Sequence, residues 1–319
     1  MVQFLYPLIR SIRPRQALKN LSLFAPLIFS GHLFSSTEFF IIFRCVLIFS
    51  LTTSAVYLLN DLADLDQDRH HPIKKHRPLA EGTLSIPFAL FCAIAAIFIS
   101  LYLGFLHNLF FFFTLLAYLT LQITYTFSLK NIVVLDILTI AAGFILRVYA
   151  GAFALNVHLN VWFLLCVVSL SLFLAAGKRR AELAILVKHP RALRQTLFSY
   201  TADTLDAYLT MFATSAWLAY ALFAFFSPPP AITNPLWTNL PLTISGVNKW
   251  LMITIPIVIY GLMRYLIIVY QGNRAEAPER ILLSDRPLLI SVFLWGILVI
   301  FILYTLAPWQ PQKTPDFAV

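Results

Sequence analysis

The chain has 319 residues, of which 60% are hydrophobic and only 12% charged, and its mean hydropathy is +0.82. A soluble domain needs a charged, wetted surface, so these values exclude one and make lipid the solvent for most of the exterior. The formal net charge of +9 does not point to nucleic acid, because the basic residues fall between apolar segments rather than in a tail or an exposed basic helix.

Residues 1–19 carry Arg10, Arg13, Arg15 and Lys19, with Pro7 and Pro14 and no small-residue cleavage site. They read as an interfacial helix leading into the first span rather than a removable signal peptide. A crossing needs about 20 apolar residues, and that ruler gives about nine spans: 20–35, 39–59, 87–106, 109–128, 132–154, 160–177, 204–226, 249–270 and 288–307. The first is broken by Pro26, and the third and fourth are separated only by His107 and Asn108, a tight helical hairpin. Polar breaks this short predict one all-α, polytopic helical bundle, a single domain over 1–319.

An odd number of spans puts the termini on opposite sides. With the N-terminus inside, the internal segments collect most of the 23 basic residues, including Lys178 to Arg180, Lys188, Arg191, Arg194, Arg274, Arg280 and Arg286, while Lys249 and Lys313 fall outside. That distribution predicts an integral protein of the inner or plasma membrane with a cytoplasmic N-terminus. Pro228, Pro229, Pro230, Pro235 and Pro241 mark a rigid outer connector without chemistry, and Phe110 to Phe113 read as lipid-facing or packing residues. Cys45, Cys92 and Cys166 lie in apolar stretches without metal or disulfide spacing.

Chemistry concentrates at the inner end of the second span, in Asn60-Asp61-Leu-Ala-Asp64-Leu-Asp-Gln-Asp68-Arg69. Asp61, Asp64 and Asp68 stand at i, i+3 and i+7, so on a continuous helix they line one face and converge just outside the membrane. Carboxylates this close repel unless a divalent cation sits between them, and hard oxygen donors suit Mg²⁺ bound to a diphosphate. The bland alternative is a solvated helix end, and Asp66, off the stripe, reads that way. The following loop holds His71, Lys74, Lys75, His76, Arg77, Pro78 and Gly82. Lys74 and Arg77 are placed to reach phosphates that a metal leaves unneutralised, whereas Lys75 reads as a topology determinant and the histidines as surface residues. Arg147, a charge inside the fifth span, is expected to face a polar cavity, with pairing to a backbone carbonyl nearly as well supported.

The Asn60-Asp61-xx-Asp64-xxx-Asp68 motif, followed by a basic loop and Arg77-Pro78-Leu-Ala-x-Gly82, resembles the UbiA superfamily of membrane prenyltransferases. Tyr125 to Lys130 is similar to that family's Tyr/Lys segment. The resemblance implies nine transmembrane helices around a central cavity and a diphosphate held through Mg²⁺ by Asp-rich motifs. The second half departs from the prenyltransferase pattern: Gly177-Lys178-Arg179-Arg180-Ala-Glu182 stands where a second acidic motif is expected, followed by Tyr200 and by Asp203 and Asp206. Cations here suit direct binding of an additional phosphate monoester. This set resembles the decaprenyl-phosphate phosphoribosyltransferase branch, as do Gly143 to Gly151, Arg264-Tyr265, and Glu276 to Glu279 leading to Asp285-Arg286-Pro287.

That branch implies a Mg²⁺-dependent transfer of a 5-phosphoribosyl group from phosphoribosyl pyrophosphate to a polyprenyl phosphate at the cytoplasmic face. Asp61, Asp64 and Asp68 are then the metal and catalytic residues, and Asn60, Lys74, Arg77, Tyr125, Lys130, Arg147, Lys178, Arg179, Glu182 and Tyr200 the substrate-binding set. Asp203 and Asp206 read as a helix start, with a second metal site as the weaker alternative. The partners are the two substrates and the bilayer, and a homo-oligomer is compatible with all of this. The rivals are prenyl transfer from a prenyl diphosphate to an aromatic acceptor and, further off, a membrane transporter or lipid carrier.

Overall fold

The structure is a computed structural model that describes residues 2–70, 74–186, 199–227, 249–271 and 278–306. His71, Lys188, Arg191, Arg194, the proline-rich connector, Glu276 and Lys313 lie outside the described residues. So do Arg274 and the side chains of Glu279 and Arg280. Every regular element described is helical, and eight helices are long and apolar enough to cross a membrane.

An amphipathic helix α1 (Val2–Ile12) precedes a 3-10 run (Pro14–Phe24) and the short α2 (Ala25–Phe29). The long helices then follow: α3 (Ser36–Ala63), α6 (Ile86–His107), α7 (Leu109–Phe127), α8 (Leu135–Leu155), α9 (Val161–Leu186) and α10 (Ala202–Phe226). Between α3 and α6 lie the short α4 (Leu65–His70) and α5 (Pro78–Glu81). The chain closes with α11 (Ile255–Gln271), entered through a 3-10 turn, then α12 (Pro278–Ser284) and α13 (Arg286–Phe301).

The first expected span, 20–35, is not one of the eight, but residues 14–29 form a first traverse along the length of α3. Arg13 meets Asp61 at one end of α3, and Phe24 packs on Phe39 near the other. Sixteen residues suffice because a 3-10 helix rises further per residue: 11 residues at about 2.0 Å and 5 at about 1.5 Å cover roughly 30 Å, the hydrocarbon thickness. Among the described residues the crossings shown by length and composition are therefore eight, with this segment packed beside α3 as a shorter companion.

Two boundaries shift in ways that matter for function. The sixth expected span, 160–177, continues as α9 to Leu186, because Lys, Arg, Ala and Glu leave the apolar window without breaking the helix. Likewise α3 runs to Ala63 and carries Asn60 and Asp61 on its last turn. The hairpin between α6 and α7 forms as expected, with Asn108 Oδ1 accepting the N–H groups of Phe110 and Phe111.

Lipid offers no hydrophobic drive between helices, so close fit and internal hydrogen bonds hold the bundle. One apolar cluster joins the first traverse, α3, α7 and α8, through Leu23, Leu27, Phe49, Leu115 and Ala150. A second joins α9, α10, α11 and α13, through Phe173, Leu209, Tyr265 and Leu288. Val148, Phe163, Tyr220 and Phe223 pack between the halves, with Phe29 and Trp295 against them. At Gly151 the backbones touch: a Cβ there would stand 2.2 Å from the Leu23 carbonyl oxygen, so only glycine admits the traverse.

Candidate active site

The chain bends once where α3 gives way to α4, at Asp64, but its helical ladder carries through. Asp64 N–H bonds Asn60 O at 3.0 Å and Asp68 N–H bonds Asp64 O at 2.8 Å. Asp61 and Asp68 therefore stay on one side, each only 2% exposed. One nitrogen bridges them: Arg77 Nη1 lies 3.1 Å from Asp61 Oδ1 and 2.5 Å from Asp68 Oδ2. Arg77 is delivered by the extended residue that starts α5, its main chain fixed by an N–H bond to Lys74 O at 2.9 Å.

Asp64 corrects the expectation that all three acids converge on one point. Its Oδ1 is held at 2.7 Å by Lys130 Nζ, from the connection after α7. Among the described residues no three acid, imidazole or thiol groups stand ready as a metal cage. Asn60 Oδ1 accepts from Thr126 Oγ1 at the end of α7. Lys74 is half-buried in a 3-10 turn, Lys75 and His76 are exposed, and Asp66 is solvated, as its place off the stripe predicts.

Sequence reading missed one member of this cluster. Arg13 ion-pairs with Asp61 and lies over the Tyr57 ring, 5.1 Å from its centroid. Its backbone is left-handed, φ 55° and ψ 64°, immediately before Pro14. That conformation is uncommon for an L residue and disfavoured before proline, so no sequence rule foresees it. Three carboxylates, Asp61, Asp64 and Asp68, thus face three cations, Arg13, Arg77 and Lys130.

A second cluster lies on the other side of the α7 end. Tyr125, next to Thr126, accepts at its hydroxyl from Arg179 Nη2 at 2.8 Å. Arg179 is 1% exposed and also pairs with Asp136, Nε to Oδ2 at 2.7 Å, and with Glu182. Expected to meet phosphate, Arg179 is in this structure buried and ion-paired to two acids, with no exposed face. Lys178, one residue earlier, keeps 30% of its side chain exposed and stands 4.0 Å from Glu182 Oε1, so it is the cation of this pair that a ligand can reach. Tyr200 donates from its hydroxyl to Asp136 Oδ1 at 2.7 Å and accepts Val134 N–H at 2.7 Å. Burial and the hydrogen bond to Asp136 push its phenol well above the usual range, so it stays protonated.

Two other expectations resolve structurally. Arg147, 5% exposed, donates to Asn20 Oδ1 at 2.9 Å, Gly143 O at 2.7 Å and the Tyr118 hydroxyl at 2.8 Å. It pins the first traverse to α7 and α8, and the backbone-carbonyl alternative is the one observed. Asp206 is held by both Nε and Nη2 of Arg180, at 2.6 and 3.4 Å, while exposed Asp203 occupies the first turn of α10 behind the N-cap Thr201. The helix-start reading therefore stands, with Asp206 engaged as a helix clamp. Arg264 and Asp285 form a similar clamp between α11 and the start of α13, at 3.0 and 2.8 Å.

The family model for the UbiA prenyltransferase family matches residues 21–296. The decaprenyl-phosphate phosphoribosyltransferase of Mycolicibacterium smegmatis is 36% identical over 299 residues, 90% of this chain and 89% of the relative. That of Corynebacterium glutamicum is 31% identical over 301 residues, 93% and 86% of the two chains. Among solved structures, a UbiA homolog from Archaeoglobus fulgidus bound to DMAPP and Mg²⁺ is similar with a TM-score of 0.65 and 18% identity, covering 92% of this chain and 99% of that one. The same homolog bound to GPP and Mg²⁺ gives 0.64 and 18%, covering 93% and 96%. Helix count, the Asp-rich end of α3 and these matches agree, and the chain belongs to the UbiA prenyltransferase family, as an integral membrane transferase.

Proposed function

We propose that the protein transfers a 5-phosphoribosyl group from phosphoribosyl pyrophosphate to a polyprenyl phosphate of the decaprenyl type. The product is a lipid-linked pentose phosphate for cell-envelope polysaccharide assembly. The observation that carries the reading is the bridging of Asp61 and Asp68 by the single nitrogen of Arg77, beside a second cluster whose acids are already engaged. Asp136 and Asp206 are both held by arginines, so the second half offers cations to a ligand where a prenyl-diphosphate enzyme offers a second acid cluster. The names of the relatives, at 31–36% identity along nine-tenths of the chain, support the same transferred group and acceptor.

The donor set fits a hard divalent ion, since carboxylate oxygens of Asp61 and Asp68 already flank a position filled by a guanidinium cation. Asp61 and Asp68, with Asp64 once released from Lys130, would hold Mg²⁺. When bound, the ion neutralises charge on the departing diphosphate as the anomeric carbon becomes oxocarbenium-like. Arg77 and Lys130 exchange carboxylate partners for phosphate oxygens, so each cation stays paired with an anion. Lys74 reaches the same phosphates, and Lys178 binds the additional phosphate monoester of the donor. Arg179, Glu182 and Tyr125 keep Lys178 and the α7 end in place. The acceptor phosphate is ionised near neutral pH and needs no general base, so orientation supplies much of the remaining rate. The basic residues collected at this end support a location on the cytoplasmic side of the cell membrane.

Labelled phosphoribosyl pyrophosphate, polyprenyl phosphate and Mg²⁺ incubated with the purified chain test this directly. Label moving into the organic extract is expected. Label that stays aqueous, with transfer instead from a prenyl diphosphate to an aromatic acid, would replace the reading by prenyl transfer.

A further inference from the structure

Val134, which precedes α8, has φ 71° and ψ −46°. Positive φ on a β-branched residue is a steric outlier that persists only when its surroundings over-determine it. Those surroundings are defined. Its carbonyl accepts the N–H groups of Ile137 and Leu138, both at 3.0 Å, and its own N–H donates to the Tyr200 hydroxyl at 2.7 Å. The hydroxyl is itself fixed, donating to Asp136 Oδ1 at 2.7 Å, and the other oxygen of Asp136 is held by Arg179 Nε at 2.7 Å. Tyr200 is 5% exposed, and Asp136 and Arg179 are each 1% exposed. The single phenolic proton is spent on Asp136, so Tyr200 has no donor left for a substrate.

The connection that ends at Val134 also carries Lys130, whose Nζ meets Asp64. We propose that the Tyr200 hydroxyl is a positioning group: by holding Val134 in its positive-φ conformation, it sets the path of residues 128–134 and so the place where Lys130 meets Asp64. The second half of the chain, through Arg179 on Asp136 and Tyr200 on Asp136 and Val134, thereby fixes a cation of the first half's site. The functional weight of this rests on the phosphoribosyl-transfer reading, whereas the geometric claim does not.

The test uses Tyr200→Phe, Val134→Gly and the double variant of the full chain. Each is treated with a water-soluble amine-acylating reagent, and Lys130 labelling is read by peptide mass spectrometry against exposed Lys75. Removing the hydroxyl is expected to raise Lys130 labelling roughly fivefold, the effect of losing one hydrogen bond. Glycine adopts positive φ without a Cβ penalty, so Val134→Gly in that background is expected to restore protection. Unchanged Lys130 labelling in Tyr200→Phe, or no restoration in the double variant, overturns the proposal. If Tyr200→Phe does not accumulate folded, the double variant must, and its failure counts equally against it. Turnover assayed in parallel should fall in Tyr200→Phe and recover in the double variant. Absence of turnover in the unsubstituted chain refutes the donor assignment alone and leaves the labelling result standing.

Discussion

Lys130 donates to Asp64, Nζ to Oδ1 at 2.7 Å, across 66 positions of sequence. The contact closes one wall of the acidic cluster with a residue from the far side of α7. It also explains why the i, i+3, i+7 stripe does not gather on a single point: two acids share Arg77 while the third is drawn aside.

Lys178 and Arg179, adjacent in sequence, should separate cleanly by mutation. Lys178 is partly exposed and its contact with Glu182 is loose, a pair worth about 0–1 kcal/mol. Lys178→Gln should leave the melting temperature nearly unchanged and raise the KM for the phosphoribosyl donor by roughly tenfold, the loss of one charge-assisted contact. Arg179→Gln leaves buried Asp136 without its cation and Glu182 with only the loose Lys178 contact, and should cost about 3 kcal/mol of stability. Thermal melts with steady-state kinetics on both variants check this, and a stable Arg179→Gln with a selectively raised KM would return Arg179 to the substrate.

Gly151→Ala should destabilise by about 1–3 kcal/mol, because the added methyl meets the Leu23 carbonyl rather than a side chain that can move. Gly296→Ala, with nothing within 4 Å, is the matched control and should be near neutral. Unfolding in detergent measures both, and equal melting temperatures would mean that the first traverse is not locked against α8.

Much of this was legible from residue order. The apolar windows located eight long helices, and the spacing of Asp61, Asp64 and Asp68 marked the candidate site, because hydropathy and helical periodicity act locally. The first traverse was foreseen only as a short, Pro26-broken span, since no pattern announces an 11-residue 3-10 run. Arg13 was read as a topology charge because its partner lies 48 positions away and its backbone takes a conformation that Pro14 disfavours. Arg179 and Tyr200 were assigned to substrate through their place in the segment that resembles the phosphoribosyltransferase branch. Their true partner, Asp136, carried only the signal of an acid at a helix start, which also fits an ordinary cap.

The Arg264–Asp285 clamp sets an acid limit. The hydrogen bond from Arg264 holds the Asp285 carboxyl below the usual carboxylate range, and the Leu288 N–H adds to it. A depressed folded pKa contributes stability that is present above the unfolded value, about 3.9, and is lost as pH falls through the folded value. The melting-temperature gap between the unsubstituted chain and Asp285→Asn should therefore be constant above about pH 5 and shrink below about pH 4. A gap independent of pH down to about 3 would show that the clamp acts through shape rather than charge.

The exchange of Arg77 for a divalent cation between Asp61 and Asp68 is most directly tested by metal binding. Mn²⁺ titrated into the purified chain with phosphoribosyl pyrophosphate, followed by electron paramagnetic resonance, reads the ion itself. Asp68→Asn should weaken donor-dependent Mn²⁺ binding by at least roughly tenfold, since losing a ligand costs no less than losing an outer-shell partner. Mn²⁺ affinity equal to that of the unsubstituted chain, both with and without the donor, would contradict a metal-bridged diphosphate at this site.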